Sequence, residues 1–350
     1  MHDSLRVLIV SNMIPSPEVP QYGVFVARQA RALEQNGCMV EIVGLEKEST
    51  GRAGTVRKYR GLGNRGVHAA DRMQPDVILA HYLVPTALMA RRAARGANAP
   101  YVLVAHGGDV THLERSKPLR AGLRRAITGA AAVVAVSPAL AERLEALYPG
   151  LAIDVINTGV DRVLFRPGPA DLSAYGPPPQ RPLIVQIGNL IERKNPERLA
   201  RAAQRLFAER GGGELWIAGT GPLEEQLRGL TGVRLLGAVP PEQVPTLLRA
   251  ADAAALVALS EGYGLGALEA VACGVPLVVS ATAPVARDLP ETAAIRVDPR
   301  SEDAILAGLR AALELPREDP AGQAKADAQA DVVQARRMLD LLQAVAGRAR

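Results

Sequence analysis

The chain has 350 residues, of which 48% are hydrophobic and 22% charged, a composition typical of folded rather than disordered proteins. Its length exceeds what one hydrophobic core usually supports, so we expect two domains. Cys38 and Cys273 are the only cysteines and lie too far apart in sequence for a disulfide framework or a metal-ligand spacing, which favours a reducing cytoplasm. The sequence predicts neither a secretory signal nor a membrane span.

The positive charge is uneven along the chain. The formal net charge is +5, and residues 1–165 carry 20 basic and 14 acidic side chains, whereas residues 166–350 carry 21 and 22. The excess concentrates in residues 52–65 and 115–125. These stretches are either solvated helix faces or surfaces for an anionic membrane or an anionic acceptor. Nucleic acid is not expected as a partner, because few aromatic residues accompany the basic ones.

The first half of the chain alternates short apolar runs with helical patterns. A helix over Gly23–Asn36 follows the first strand and ends before Gly37. Apolar runs on this scale indicate strands of a parallel sheet that is buried on both faces. The predicted strands are Val7–Ser11, Val40–Leu45, Val77–His81, Tyr101–Ala105, Ala132–Val136 and Asp154–Ile156.

A proline- and glycine-rich segment, residues 166–182, predicts a linker between residues 1–165 and a second α/β domain over residues 183–330. Helical spacing returns near the end of the chain, and we expect a C-terminal helix over residues 331–350 that crosses back to the N-terminal domain. Within the second domain the predicted strands are Leu183–Ile187, Glu214–Ala218, Val233–Leu236, Ala253–Val257 and Pro276–Ser280, and the predicted helices are Pro196–Arg210, Pro222–Gly229, Pro241–Ala250 and Leu265–Cys273. The fold class is therefore α/β, with two doubly wound parallel sheets of Rossmann-like type and a cleft between them.

The segment ALSEGYGLGALEAVACGVP, residues 258–276, places Glu261 and Glu269 on either side of a glycine-rich turn in otherwise core-like sequence. Carboxylates are costly in such surroundings unless something binds them. Backbone amides at such a turn and at a helix N-terminus suit a phosphate. Glu269 lies about 6 Å into the helix, at ~1.5 Å per residue. This spacing suits a nucleotide sugar, with Glu261 at the sugar and Glu269 at the ribose; a helix cap plus a solvated glutamate is the alternative.

The same segment resembles the E-x7-E region of the retaining GT-B glycosyltransferases of family 4. Further motifs occur in that family's order and spacing: VLIVSNMIPSPEVPQYGVFVARQARAL, VLVAHGGDV, VINTGVDRVLFRP, VQIGNLIERKN, LWIAGTGPLEEQL and VRLLGAVPPEQVPTLLRAADAAAL. The opening motif is most similar to members that build bacterial cell-surface polysaccharides. The resemblance implies a GT-B fold, two Rossmann-like domains facing a central cleft, with the nucleotide sugar on the C-terminal domain and the acceptor on the N-terminal one.

The resemblance also implies three catalytic residues. His106 is placed beside the donor sugar, where it stabilises an oxocarbenium-like transition state, and Lys194 neutralises the leaving diphosphate. Glu261 completes this set. Gly23, His81 and Asp109 are expected at the acceptor or the cleft, although a turn glycine and structural side chains would explain these three equally.

The implied donor site is larger. The residues expected to bind the nucleotide sugar are Gly188, Asn189, Arg193, Gly221, Gly262, Tyr263, Gly264, Leu265 and Glu269. Arg193 could instead be a solvent-facing loop residue, and Gly221 could serve only a tight turn.

Two positions depart from the family pattern. Asn189 stands where the family often has arginine, which removes one cation from the diphosphate site. Ala283-Pro284 and Arg287 stand where a glycine pair and a glutamate often follow, and proline removes an amide donor. We therefore expect a donor-side loop of different shape.

The predicted function is that of a retaining, metal-independent glycosyltransferase without a cofactor. It would transfer a hexose-type sugar from a nucleotide diphosphate sugar to a polysaccharide or lipid-linked acceptor, in the cytoplasm or at the inner face of the membrane. A sugar-nucleotide epimerase of the same fold and a non-catalytic sugar-nucleotide-binding relative are the alternatives. The sequence specifies neither the donor base, the sugar, the acceptor nor the oligomeric state.

Overall fold

The computed structural model describes residues 4–17, 19, 22–47 and 52–349, and the chain divides into two compact α/β units. The N-terminal unit comprises Met1–Thr158 together with Asp331–Arg350, and the C-terminal unit comprises Gly159–Ala330. The chain therefore leaves the N-terminal unit after Thr158, a few residues before the boundary predicted at residue 165, and rejoins it after Ala330.

Six parallel strands form the sheet of the N-terminal unit among its described residues. They are β1 (Arg6–Ser11), β2 (Met39–Gly44), β3 (Val77–His81), β4 (Tyr101–Ala105), β5 (Ala132–Ala135) and β6 (Ile153–Val155). Every residue of β3 and β4 is buried, as expected for a parallel sheet covered by helices on both faces. The predicted strands in this half therefore hold to within a residue at their ends.

The helices of the first 158 residues are α1 (Val24–Gln35), α2 (Arg52–Met73), α3 (Thr86–Ala97), α4 (Gly108–Arg115), α5 (Lys117–Ile127) and α6 (Pro138–Leu147). Ser116 and Ser137 cap α5 and α6, since each hydroxyl oxygen accepts the backbone N–H three residues later. The basic stretches at residues 52–65 and 115–125 fall largely on α2 and α5.

The order of strands in this sheet is β2-β1-β3-β4-β5-β6. Strand β1 thus has β2 on one side and β3 on the other, and the direction of winding reverses there. Ser11 at the end of β1 is in register with His81 at the end of β3. Ligands of open α/β sheets bind beyond the carboxyl ends of strands at such a reversal, which we call the switch point of the unit.

The C-terminal unit repeats this plan with strands β7 (Leu183–Ile187), β8 (Glu214–Ala218), β9 (Val233–Gly237), β10 (Ala253–Leu256), β11 (Leu277–Ser280) and β12 (Ala294–Val297). Their order among the described residues is β12-β11-β10-β7-β8-β9, all parallel where paired. The winding reverses between β7 and β10, so the switch point of this unit lies at the loops that follow those two strands.

The helices of the C-terminal unit are α7 (Pro196–Arg210), α8 (Glu224–Leu227), α9 (Val244–Ala250), α10 (Leu265–Ala272), α11 (Glu302–Ala312) and α12 (Pro320–Ala328). Helix α8 is shorter than predicted because the chain first makes a turn through Gly221 and Pro222. Helix α9 is preceded by a 3-10 turn over Pro241–Gln243. Strand β12 and helix α11 were not predicted from the sequence.

The segment predicted as a linker, residues 166–182, packs on the C-terminal unit. The Tyr175 ring lies 6.1 Å from the Trp216 ring, centroid to centroid, and its hydroxyl donates to Gln243 at 2.8 Å. Arg181 makes an ion pair with Asp252 at 2.9 Å. The proline and glycine content of this segment therefore encodes an irregular but anchored path.

The tail forms two helices where one was predicted, over residues 331–350. The first is α12, and the second is α13 (Asp331–Ala349), which belongs to the N-terminal unit and packs against α1 and β3. Between them the backbone pairs with Val160, whose N–H donates to Gln329 O at 2.9 Å. The two helices are therefore separated at this pairing.

Candidate functional site

Three charged side chains converge at the switch point of the C-terminal unit. The Lys194 ammonium and the Arg193 guanidinium both donate to the Glu261 carboxylate, the arginine at 3.4 Å. The Glu261 side chain is only 10% exposed and that of Lys194 only 19%. A carboxylate this buried needs compensating charge, which these two cations supply. The structure thus brings together three residues that the sequence predicted for the site.

Backbone contacts fix the loops that carry these side chains. Arg193 and Lys194 lie in a 3-10 turn after β7, and the Arg193 carbonyl accepts the Leu259 N–H at 2.8 Å. The Asn195 amide donates to Val257 O at 3.0 Å and to Pro299 O at 2.8 Å. Each contact joins the loop after β7 to chain at or beyond β10, so the cations and the carboxylate are held by one scaffold.

Glycines at this edge are required by close packing of backbone on backbone. A Cβ on Gly219 would lie 2.0 Å from Gly188 O, and a Cβ on Gly221 would lie 2.3 Å from Leu190 O. Real Cβ atoms do not approach oxygen so closely. For Gly221 this packing of the loops after β7 and β8 suffices to explain the residue. Gly188 has φ 149°, and a Cβ there would meet only the Lys194 side chain, 3.7 Å away.

The glycine-rich turn before α10 rests on the segment that departs from the family pattern. Gly264 has φ 105°, and a Cβ there would lie 2.7 Å from a Val285 methyl group. The Val285 N–H donates to Tyr263 O at 3.0 Å, and the buried Tyr263 hydroxyl donates to Asp288 at 3.0 Å. Burial, with the Asp288 charge, raises the pKa of Tyr263. Tyr263 therefore supports the turn through its hydroxyl.

The remaining predicted donor residues surround this turn. Gly262 and Leu265 are half-buried, and Leu265 is the first residue of α10. Glu269 is half-buried one helical turn further on, and its charge, after burial, helps to raise the pKa of the Cys273 thiol to about 12. Asn189 and Arg287, the two departures that carry polar side chains, are both exposed.

The switch point of the N-terminal unit holds a pair of histidines. His81 Nδ1 lies 3.0 Å from His106 Nε2; His81 ends β3, and His106 directly follows the adjacent strand β4. The rings of Phe25 and Tyr82 pack on His106 with centroids at 4.6 Å and 4.7 Å. His106 is half-buried and His81 is inaccessible to solvent.

Burial keeps this histidine pair neutral. It lowers the pKa of His81 to about 3, and burial together with the nearby His81 lowers the pKa of His106 well below its usual value. His81 Nε2 is buried without a partner in the described structure. A lone acceptor is better tolerated there than a lone N–H donor, so the network assigns the shared proton to His81 Nδ1. His106 then carries its own proton on Nδ1, which can donate to a hydroxyl.

Asp109, predicted at the acceptor or the cleft, is buried and holds two loops together. Its carboxylate accepts backbone N–H groups from Leu83 at 2.8 Å, His106 at 3.2 Å, Gly107 at 2.8 Å and Val110 at 3.0 Å. Burial raises the pKa of Asp109, while these four hydrogen bonds act in the opposite direction. The geometry indicates a residue that positions His106.

Gly23 begins α1 with φ 73°, and a Cβ there would lie 2.5 Å from Met13 O. The chain therefore requires glycine for a close approach between the loop after β1 and the start of α1. This contact places Phe25, two residues later, against the His106 ring.

Three residues that support the site were not predicted from sequence. Tyr82 packs on His106, and its hydroxyl donates to the Met13 sulfur at 2.8 Å. Asp288 and Val285 hold the turn before α10. For Tyr82 the signal was an aromatic residue directly after a histidine at a strand end, whereas Asp288 lies 25 residues from Tyr263 and carries no local pattern.

Comparisons with known proteins concern the family and the fold of the chain. Residues 23–163 match the family model described as Glycosyltransferase Family 4, and residues 169–329 match the one described as Glycosyl transferases group 1. Together the two matches cover most of the chain and support a group 1 glycosyltransferase. Each model coincides with most of one unit, which confirms the resemblance found in the motifs.

Solved structures with the same fold cover nearly the whole chain. The sucrose-phosphate synthase of Thermosynechococcus elongatus superimposes with a TM-score of 0.80 at 18% identity, covering 98% of this chain and 99% of that one. HepE of Anabaena in complex with UDP and glucose gives a TM-score of 0.75 at 18% identity, covering 97% and 100%. The two sheets flanked by helices are therefore a GT-B fold, as predicted.

Among curated proteins, a putative teichuronic acid biosynthesis glycosyltransferase, TuaC of Bacillus subtilis, is 29% identical over 67% of this chain. An N-acetyl-alpha-D-glucosaminyl L-malate synthase of Bacillus anthracis is 29% identical over 62%. The matches span only 60% and 59% of those two proteins' lengths.

Within the part of the chain that the structure describes, no helix combines the length and apolar character needed to cross a bilayer. The described residues also contain no cluster of three His, Cys, Asp or Glu side chains arranged to hold a metal ion.

Proposed function

We propose that this protein transfers a hexose-type sugar from a nucleotide diphosphate sugar to a saccharide acceptor. The observation that carries the proposal is the convergence of Lys194, Arg193 and Glu261 at the switch point of the C-terminal unit. Two cations held beside one carboxylate can receive both halves of such a donor. The cations suit its anionic diphosphate, and the carboxylate suits sugar hydroxyls.

The C-terminal unit supplies the donor site in this proposal. The Lys194 ammonium has three N–H donors, so it can bond a phosphate oxygen without releasing Glu261. As the bond between the sugar and phosphate breaks, negative charge accumulates on the diphosphate, and Lys194 stabilises it. HepE, which shares the fold, has been solved with UDP-glucose, which supports a nucleotide-sugar donor. Glu269, one turn into α10, binds the ribose hydroxyls.

The N-terminal unit supplies His106 for the sugar. A neutral imidazole that donates from Nδ1 can hydrogen-bond a sugar hydroxyl without placing a second positive charge beside an oxocarbenium-like transition state. Asp109 and His81 hold this ring in place through the contacts described above. We place the acceptor on this unit as well.

We also propose that transfer is retaining and needs neither a metal nor a cofactor. Lys194 would take over the charge stabilisation that a divalent ion could otherwise provide. In a front-face reaction the leaving phosphate accepts the proton of the acceptor hydroxyl, so the new bond keeps the anomeric configuration of the donor. The anomeric proton coupling of the product, measured by NMR, tests retention, and turnover in excess EDTA tests metal independence.

The acceptor class rests on the relatives. TuaC carries a name from teichuronic acid biosynthesis, which supports a polysaccharide or lipid-linked acceptor. The basic residues on α2 and α5 support a peripheral location at the inner, anionic face of a membrane. Sedimentation with phosphatidylcholine vesicles, with and without phosphatidylglycerol, tests that location, and equal sedimentation in both would refute it.

The deciding experiment separates nucleotide binding from turnover. Nucleoside diphosphates and sugar nucleotides are screened for an increase in Tm, because a ligand that binds only the folded state stabilises it by mass action. We expect a nucleoside diphosphate to raise Tm and Glu269→Ala to abolish the increase. His106→Ala should keep the Tm increase and lose turnover. A protein whose Tm responds to no nucleotide would refute the proposal.

The exposed, neutral Asn189 favours one rival, a relative that binds sugar nucleotides without turnover. That protein would show the Tm increase with no transfer to any acceptor. A third reading, an epimerase of the same fold, would convert the donor into a new sugar nucleotide without any acceptor present.

A further inference from the structure

A cavity lined largely by glycines and cations lies in the N-terminal unit, and neither histidine of the pair is part of its lining. It has a volume of about 430 Å³ and lies between the loop after β2 and one face of α2. This volume is in the range of small-molecule sites. We call it the α2 cavity, and the residues that matter for its chemistry are Gly44, Glu46, Arg57, Lys58, Gly61 and Arg65.

The contribution of α2 follows helical spacing. Residues 54, 57, 58, 61 and 65 fall at positions i, i+3, i+4, i+7 and i+11 and so share one helix face. Glycines alternate on this face with the three cations Arg57, Lys58 and Arg65. Glu46 is the one acidic residue among the described lining residues, so these side chains together carry a surplus of positive charge.

Backbone oxygens orient two of the three cations. Lys58 Nζ donates to Glu46 O at 3.0 Å, and Arg65 Nη2 donates to Gly44 O at 2.8 Å. These acceptors are neutral and leave the arginine's charge in place. Arg57 has no hydrogen-bond or ion-pair partner within the described residues. The cavity therefore presents guanidinium groups whose charge no described carboxylate pairs with.

Gly61 keeps the cavity open. It lies inside α2, where glycine is less favourable than alanine. A Cβ there would meet only Arg65 Nη1, at 3.9 Å, so packing against neighbouring elements does not require glycine. The missing side chain of Gly61 instead leaves space in front of the three cations.

We propose that the α2 cavity binds the phosphate group of a soluble small molecule. Guanidinium groups bind phosphate through paired, charge-assisted hydrogen bonds, and Lys58 adds a point charge. The loop after β2 also touches the loop after β1, where Ile14 N–H donates to Leu45 O at 2.9 Å. The cavity thus lies at the carboxyl edge of the same sheet that carries His106. The proposal concerns equilibrium binding and holds whether or not the protein transfers sugars.

Calorimetric titration with inorganic phosphate and with glycerol 3-phosphate tests it. Arg57→Ala and Arg65→Ala should each weaken binding about tenfold, the effect of losing one hydrogen bond to a charged group. Gly61→Glu, which places a carboxylate in the cavity, should abolish it. Gly122→Glu is the matched control, because Gly122 is a helical glycine of the same unit with open space around it. This control should bind like the wild type.

Two results would overturn the proposal. If Lys194→Ala removes phosphate binding while Gly61→Glu retains it, the ion binds at the C-terminal unit instead. If neither phosphate compound binds and Gly61→Glu reduces sedimentation with phosphatidylglycerol vesicles, the cavity binds lipid headgroups and not a soluble ligand. An unchanged Tm in each variant shows that lost binding does not reflect unfolding.

Discussion

Both units have a switch point at the carboxyl edge of the sheet, but the side chains there are charged in one unit and neutral in the other. In the C-terminal unit the switch point carries an ionic cluster of Lys194, Arg193 and Glu261 on glycine-packed loops. In the N-terminal unit the corresponding edge carries two neutral histidines among the aromatic rings of Phe25 and Tyr82. The sheet thus determines where a ligand is bound, and the loops determine which ligand.

This difference assigns a separate proposed role to each unit. A diphosphate needs fixed positive charge, which the C-terminal edge offers. Sugar hydroxyls need directed hydrogen bonds without excess charge, which the N-terminal edge offers. Four predictions test the division, each at one side of the comparison.

The largest effect is expected at Lys194. Lys194→Ala removes charge stabilisation of the leaving diphosphate, and kcat should fall by about 10² to 10³, the loss typical of one electrostatic group in an active site. Turnover is measured as nucleoside diphosphate released from the sugar nucleotide.

Arg201→Ala is its control, since Arg201 belongs to an exposed ion pair with Glu302 in the same unit. It should leave kcat within twofold, because surface ion pairs contribute about 0–1 kcal/mol. Equal kcat in Lys194→Ala and the wild type would remove Lys194 from the mechanism.

Gly219→Ala should give the next largest effect, on stability. Its Cβ would lie 2.0 Å from Gly188 O at φ 152°, and overpacking plus backbone strain should together cost about 3 kcal/mol. Gly229→Ala is the control, because Gly229 has φ 79° with nothing within 4 Å and should lose only about 1–2 kcal/mol. Calorimetric Tm values compare them; similar losses would mean that the loops after β7 and β8 are not tightly packed.

The histidine pair should make stability depend on pH. The folded-state pKa of His81 is about 3, below its ordinary value of 6.5, so the unfolded chain binds the extra proton. The free energy of unfolding should therefore fall as pH drops from 6.5 towards 3, by up to about 1.4 kcal/mol per pH unit from this residue. His81→Gln should flatten the dependence measured by urea unfolding between pH 6.5 and 4. A slope identical to the wild type's would contradict the buried, neutral pair.

The smallest effect is expected at Tyr263. Tyr263→Phe loses the hydrogen bond to Asp288 and should reduce stability by about 1 kcal/mol. Nucleotide affinity should change less than twofold if the hydroxyl only supports the turn. A tenfold weaker nucleotide affinity would mean that Tyr263 also binds the donor.

The described strands other than β12 follow from local apolar runs, which is why the sequence predicts them well. The two switch points depend on the order of strands within each sheet, which local runs do not specify. The resemblance placed Lys194 and Glu261 at one site, and the structure brings them together because β7 and β10, which they follow, are neighbours in the sheet. The sequence did not predict the structural roles of Asp109 and Tyr263. Each depends on which backbone groups or distant side chains lie nearby, and Asp288 is 25 residues from its partner.

The α2 cavity shows the same limit. The basic stretch was evident, but its effect depends on one long helix that brings residues 57, 58 and 65 to a single face. Without the bounds of α2, the sequence showed only that this stretch is basic and not that its cations share one helix face. Gly61 gives no signal in sequence, because its role is the space that it leaves.

The N-terminal unit is discontinuous in sequence. Its last helix, α13, comes after the whole C-terminal unit, which is inserted between residues 158 and 331. The two ends of that insertion meet, with Val160 N–H bonded to Gln329 O at 2.9 Å. Residues 159–330 can therefore be expressed as one uninterrupted fragment. Expressing the N-terminal unit alone requires a fusion in which a short loop joins residue 158 to residue 331. A truncation after residue 158 would remove α13 and expose the surfaces of α1 and β3 against which it packs.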